Sequence, residues 1–141
     1  MTSDVQDAFQ ERQNVHRLFD LHRGGLPQTV SRGNRDADQR GPFPTLLVRT
    51  IYHKQADRYL AWTERFVESG YACVMQDCRG RHDSDGAWEP YIHEAGDGHD
   101  TIEWIGAQPW SDGNVGTYGV SYLGFTQTQP ATRRSRFLKA I

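Results

Sequence analysis

Ser121 is the residue of this 141-residue sequence whose setting points most directly to chemistry. It stands in Gly119-Val120-Ser121-Tyr122-Leu123-Gly124, after a stretch that reads as a strand at 115–119 and before a segment that reads as a helix from Tyr122 onward. Strand, sharp turn and helix in that order put a serine at a corner, lifted clear of the backbone. A serine hydroxyl is a weak nucleophile at neutral pH. It needs a base beside it and hydrogen-bond donors aimed at the oxyanion, so a strained corner that exposes it has a chemical purpose. Glycines on both sides allow the two elements to approach without Cβ clashes. The spacing differs from the common Gly-x-Ser-x-Gly, because Leu123 is the second residue after the serine and Gly124 the third.

Two donors are candidates for the oxyanion. The backbone N–H of Tyr122 opens the helix after the nucleophile. The loop after the first expected strand, residues 49–54, is where such folds supply a second donor, and the Tyr52 hydroxyl can serve. The base is harder to place. His16, His22, His53, His82, His93 and His99 all precede Ser121, as do Asp77, Asp83, Asp85, Asp97 and Asp100. In an α/β-hydrolase the order is serine, acid, histidine, so none of them is nominated. Asp77 and Arg79 are expected instead to orient the loop below the site by hydrogen bonds. Neither His-x-x-x-His nor Cys-x-x-Cys occurs, and no Gly-x-Gly-x-x-Gly, so neither a metal nor a cofactor is expected.

The elements that must position these residues are legible from residue 43 onward. Prolines at 42 and 44 precede an apolar run, which predicts a strand at 45–50. Tyr59, Leu60, Trp62, Phe66 and Val67 recur at helical spacing over 55–69, and Gly70 follows at a stop position. Residues 72–77 form a second apolar run, suited to a strand covered on both faces. A strand, a helix and a parallel strand imply a right-handed crossover. A second helix is expected at 94–108, then a turn at 111–114 and the strand at 115–119. Pro130 should truncate or kink the helix behind the serine, and residues 137–141 begin another strand. Residues 1–42 are polar and erratic and read as an irregular segment, with a short helix within 4–20 as an option.

Composition bounds the rest. The formal net charge is −2 with mixed signs, so no basic stripe suggests nucleic acid or an anionic membrane. No apolar run reaches the roughly 18 residues of a membrane span, and residues 1–8 lack a signal peptide's basic-then-apolar order, which gives a cytoplasmic expectation. Cys73 and Cys78 read as buried free thiols. The cluster Arg133, Arg134 and Arg136 reads as a solvated helix end or loop.

Four segments taken together carry a family resemblance: Pro44-Thr-Leu-Leu-Val-Arg-Thr-Ile-Tyr-His-Lys54, Gly70-Tyr-Ala-Cys-Val-Met-Gln-Asp-Cys-Arg-Gly-Arg81, Asp97-Gly-His-Asp-Thr-Ile-Glu-Trp-Ile-Gly-Ala-Gln-Pro-Trp110 and Gly113-Asn-Val-Gly-Thr-Tyr-Gly-Val-Ser-Tyr-Leu-Gly-Phe-Thr-Gln127. In this order they resemble the CocE/NonD hydrolases, the family of cocaine esterase and the X-Pro dipeptidyl-peptidases. The family's corner reads Gly-x-Ser-Tyr-x-Gly, which accounts for the shifted glycine. The resemblance implies the N-terminal part of an α/β-hydrolase, three-layered with a mostly parallel sheet, over residues 43–141. It also implies Ser121 as nucleophile, the Tyr52 hydroxyl and Tyr122 N–H as oxyanion hole, and an acyl-enzyme formed on an ester, an amide or an X-Pro peptide without a cofactor.

The family's catalytic Asp and His, its helical cap and its C-terminal jelly-roll domain would lie beyond Ile141. The expectation is therefore part of a longer hydrolase, inactive as the 141-residue chain, with a break from the family's pattern near residue 40. Two alternatives remain open at this point: a non-catalytic remnant of the fold, and a site completed by a histidine from a second copy.

Overall fold

A computed structural model of the protein describes residues 41–141 together with two strands of the N-terminal stretch, β1 (His16–Arg17) and β2 (Thr29–Arg32). Then follow β3 (Phe43–Thr50), α1 (Asp57–Glu68), β4 (Ala72–Asp77), α2 (Glu94–Gly106), β5 (Ser111–Thr117), α3 (Tyr122–Ala131) and β6 (Leu138–Ala140). The six strands form one sheet in the order β1-β2-β4-β3-β5-β6. β4, β3, β5 and β6 run parallel, whereas β2 joins β4 antiparallel, with Thr29 opposite Met75 and Arg32 opposite Ala72. The irregular reading of 1–42 thus fails at these two strands. Thr29–Arg32 is short and half polar, and its partner β4 supplies the pairing that its own pattern does not announce. Of the stretch 4–20 considered as a helix, His16–Arg17 is strand β1 and the remainder lies outside the described residues.

The parallel core is built by alternation. All six residues of β4 are buried, as expected for a strand covered on both faces. Ala72 and Val74 point, with Leu47 of β3, into a cluster with Ile102 and Ile105 of α2, Trp110 and Val115. Cys73 and Met75 point the other way, with Val48, against Tyr59 and Val67 of α1 and Leu123. These are the three layers of the expected α/β fold. Fully burying one such aliphatic side chain is worth about 1.5–3 kcal/mol.

Two boundaries differ from expectation. β3 begins at Phe43, and the register against β5 shifts between Phe43 and Thr45, so Pro44 sits at an irregularity where its missing N–H is tolerated. β5 begins at Ser111 and so contains the expected turn. The turn chemistry persists inside it: Ser111 Oγ accepts the Gly113 N–H, Asp112 Oδ1 accepts the Asn114 N–H, and Gly113 has φ +82°. The helix behind the serine includes Pro130 in its last turn and stops at Ala131.

One polar network crosses the layers. The Arg49 side chain, at the C-terminal half of β3, is buried; its Nη1 meets Glu94 Oε2 at 2.8 Å and its Nε donates to Gln76 Oε1 at 2.8 Å. Thr101 Oγ1 donates to the same Gln76 oxygen, and the Tyr122 hydroxyl donates to Glu94 Oε1. From the other side Thr126 Oγ1 donates to the Arg49 carbonyl. At Gly98 a Cβ would overlap Pro130 and crowd Arg49, so the glycine is what lets α2 and α3 close over the pair.

Cys73 and Cys78 are free and buried, and burial pushes both thiols up to about 12. A thiol whose folded pKa lies above its ordinary value of 9.0 adds stability that is complete below about pH 9 and is lost as pH rises toward 12. At pH 8 neither thiol should react with Ellman's reagent in the folded chain, and two equivalents should react in urea. The replacement Glu94→Gln strips the Arg49 guanidinium of its counter-charge; a loss of about 3 kcal/mol in urea unfolding is expected, with Glu94→Ala costing more.

Candidate active site

The corner at Ser121 is built by backbone strain held from several directions. Ser121 immediately precedes α3 with φ +64° and ψ −125°, a conformation that a Cβ disfavours. Two residues earlier, Gly119 has φ +150°, and a Cβ there would overlap Leu123. The Leu123 N–H donates to the Val120 carbonyl at 3.2 Å and the Gly124 N–H to the Ser121 carbonyl at 2.8 Å. Gln127 ties the turn together: its Nε2 donates to the Gly119 and Leu123 carbonyls, and its Oε1 accepts from Thr117 Oγ1 at the end of β5. Val120 and Ser121 are thereby pushed outward while Tyr122 and Leu123 are buried.

Tyr52 comes from the loop that leaves β3. Its N–H donates to Thr50 Oγ1 at 2.9 Å, and the Thr50 hydroxyl donates to the Tyr59 hydroxyl at 3.0 Å. The preceding carbonyl, of Ile51, accepts Arg81 Nε and lies 3.2 Å from His82 Nε2. Beyond Tyr52 the Lys54 N–H donates to Asp77 Oδ1 at 2.8 Å, and Lys54 Nζ reaches Asp83 at 2.6 Å and Asp77 at 3.5 Å. The Lys54 hydrogen bond holds the Asp83 carboxyl below the usual carboxylate range. Arg79 grips Asp97 of α2 with two donors. Asp77 and Arg79 thus anchor the loops under the site, as read from the sequence.

Tyr52 and Ser121 line one cleft of about 300 Å³, together with Arg58, Tyr59, Trp62, Val120 and Leu123. The Tyr122 N–H is the first of α3 and has no acceptor within its own helix, at the end where the helix dipole favours negative charge. Its phenol faces the interior: it accepts the Tyr91 N–H and donates to Glu94, and burial raises its pKa above the ordinary value. Tyr52 and Ser121 therefore share a cleft at the C-terminal ends of β3 and β5, where parallel sheets bind ligands, and Tyr122 follows Ser121 in the chain without lining it.

None of the described histidines lines that cleft. His53 and His82 contact each other with ring centroids 4.7 Å apart, and His93 bonds Glu89. The side chains of His16 and His22 lie outside the described residues. Among the described residues no group of three or more His, Cys, Asp or Glu is arranged to hold a metal ion, and no helix is long and apolar enough to cross a membrane. Sequence reading missed Arg58, Trp62 and Val120 as lining residues. The helical spacing of Arg58, Tyr59 and Trp62 was the available signal, because residues four apart share a face.

A family model described as X-Pro dipeptidyl-peptidase (S15 family) matches residues 27–141. The chain belongs to that family. This S15-family chain is 45% identical over 124 residues to a cocaine esterase from Rhodococcus sp. (strain MB1 Bresler), an alignment covering 84% of the chain and 21% of the esterase. The crystal structure of a CocE/NonD family hydrolase from Staphylococcus aureus superposes with a TM-score of 0.68 at 31% identity, covering 79% of this chain and 23% of that one. An α-amino acid ester hydrolase superposes with a TM-score of 0.66 at 29% identity, over 79% of this chain and 22% of that one. The S15-family chain thus spans about a fifth of the length of these relatives.

Strain at the corner has a measurable signature. Ser121→Gly removes the Cβ from a positive-φ position and should raise stability by up to about 1 kcal/mol. Gly119→Ala should lower it by about 1–3 kcal/mol, because its Cβ meets Leu123. Both changes are read from urea midpoints.

Proposed function

We propose that residues 43–141 form the nucleophile-bearing part of a serine hydrolase that cleaves ester or amide bonds through an acyl-enzyme. The observation that carries this reading is Ser121, held at positive φ on the β5–α3 corner and opening into the cleft that Tyr52 lines. Ser121 Oγ attacks the substrate carbonyl while a base takes its proton. The Tyr52 hydroxyl and Tyr122 N–H stabilise the oxyanion, the alcohol or amine departs, and water hydrolyses the acyl-serine.

The 45% identity to a protein named as an esterase favours esters as the first substrates to assay. A second reading, cleavage of X-Pro peptide bonds, is favoured by the description of the matching family. A small-molecule or peptide substrate and a cytoplasmic setting belong to the same proposal; two unpaired thiols suit a reducing compartment.

In the serine, acid, histidine order the base follows the nucleophile, and residues 122–141 contain neither Asp nor His. The 141-residue chain should therefore show no Ser121-dependent turnover of p-nitrophenyl butyrate or of Gly-Pro-p-nitroanilide. A fluorophosphonate probe should still label it slowly. Mass spectrometry should place the adduct on Ser121, Ser121→Ala should abolish it, and Tyr52→Phe should slow it by about 100-fold. Labelling that persists in Ser121→Ala would remove the assignment, and so would none at all.

A further inference from the structure

Arg58 is the only charged side chain among the residues lining the Ser121 cleft. Its guanidinium carbon lies 5.3 Å from the Tyr52 ring centroid and 4.8 Å from that of Tyr59. Arg58 is solvent-exposed and its guanidinium donates to no other described residue, so its N–H donors are open to grip a carboxylate with two parallel hydrogen bonds. Among the described residues Arg58 has no ion-pair partner, although Arg49 and Arg79 each hold a carboxylate. The two tyrosine rings are the contacts that hold it there. Arg58 lies in the first turn of α1, where the helix dipole disfavours a cation.

The remaining wall is apolar. Trp62 and Val120 offer surface for a hydrocarbon body, with Leu123 buried behind them and Val120 72% exposed because the strained corner turns it outward. Apolar walls with one oriented cation are the features of a small-molecule site that fixes an amphiphilic anion.

We propose that Arg58 makes the cleft selective for a substrate group with an apolar body that ends in a carboxylate. This deepens the serine-hydrolase reading and rests on it for the word substrate, but the binding it asserts does not require Ser121 to react.

The test is a nitrogen-15 NMR titration of the 141-residue chain with 3-phenylpropionate and with 3-phenylpropionamide, which share a body and differ in charge. Saturable shifts are expected at the Val120, Ser121 and Leu123 amides, with the acid bound about tenfold more tightly than the amide. Arg58→Met, which keeps the stem over the rings, should bind both alike, while Arg58→Lys should retain part of the preference and Ser121→Ala all of it. Retained spectral dispersion verifies the fold of each variant. Equal response to acid and amide in the unaltered chain overturns the proposal, as does a preference that survives Arg58→Met or the absence of saturable shifts. Failure of Ser121 to take the fluorophosphonate leaves these outcomes untouched, so the two readings fall separately.

Discussion

A guanidinium buried in a strand is tolerated only if its charge is matched and its donors are occupied. Arg49 meets that condition by drawing on two other elements, Gln76 from β4 and Glu94, which opens α2, while Thr126 of α3 ties its main chain by donating its hydroxyl to the Arg49 carbonyl. Glu94 in turn takes the hydroxyl of Tyr122, the residue after the corner serine. The order of the layers, the closure of α2 on α3 over Gly98 and the anchoring of the first turn of α3 all depend on this pair. The corner can hold Ser121 in an unfavourable conformation because its neighbour on the helix side is fixed to the core.

Around that centre the structure divides its tasks between the two faces of the sheet. The α2 face carries the ion pair and an aliphatic cluster, and it stabilises. The α1 face ends, at the C-terminal edge of the strands, in an aromatic cleft where Tyr59 and Trp62 stand beside the serine. Loops that would otherwise move are held by carboxylates: Asp77 and Asp83 hold the segment after Tyr52, and Asp97 holds Arg79. Charged residues here are structural clamps for catalytic candidates, and none of the described histidines lines the cleft.

Much of this was legible from residue types and spacing, because β3 and β4 carry apolar runs and α1 is amphipathic. β4 matches its expected bounds at 72–77, and Ser121 and Tyr52 line one cleft. What was illegible has physical causes. The strand Thr29–Arg32 is too short and polar to announce itself, and it exists through its pairing with β4. The turn chemistry of 111–114 is real but is absorbed into a strand irregularity. Arg49 was read as the end of an apolar run and the start of the loop after it, since a sequence does not show which distant carboxylate will neutralise a buried cation.

The sequence by itself determined the chemistry on offer: a serine between glycines at a strand-to-helix corner, a tyrosine after the first parallel strand, and the alternation that buries both faces of β4. These are local properties, set by Cβ sterics, hydrophobic period and turn residues over a few positions. Only the tertiary structure decided that Tyr52 and Ser121, 69 positions apart in the chain, share one cleft. It also decided that Arg58 lines that cleft without an ion-pair partner among the described residues, and that Glu94 rather than another described carboxylate neutralises Arg49. Those outcomes depend on how β3 and β5 pair and how three helices pack around them. The interactions concerned are short-ranged in space and distant in sequence, so no window of residues contains them.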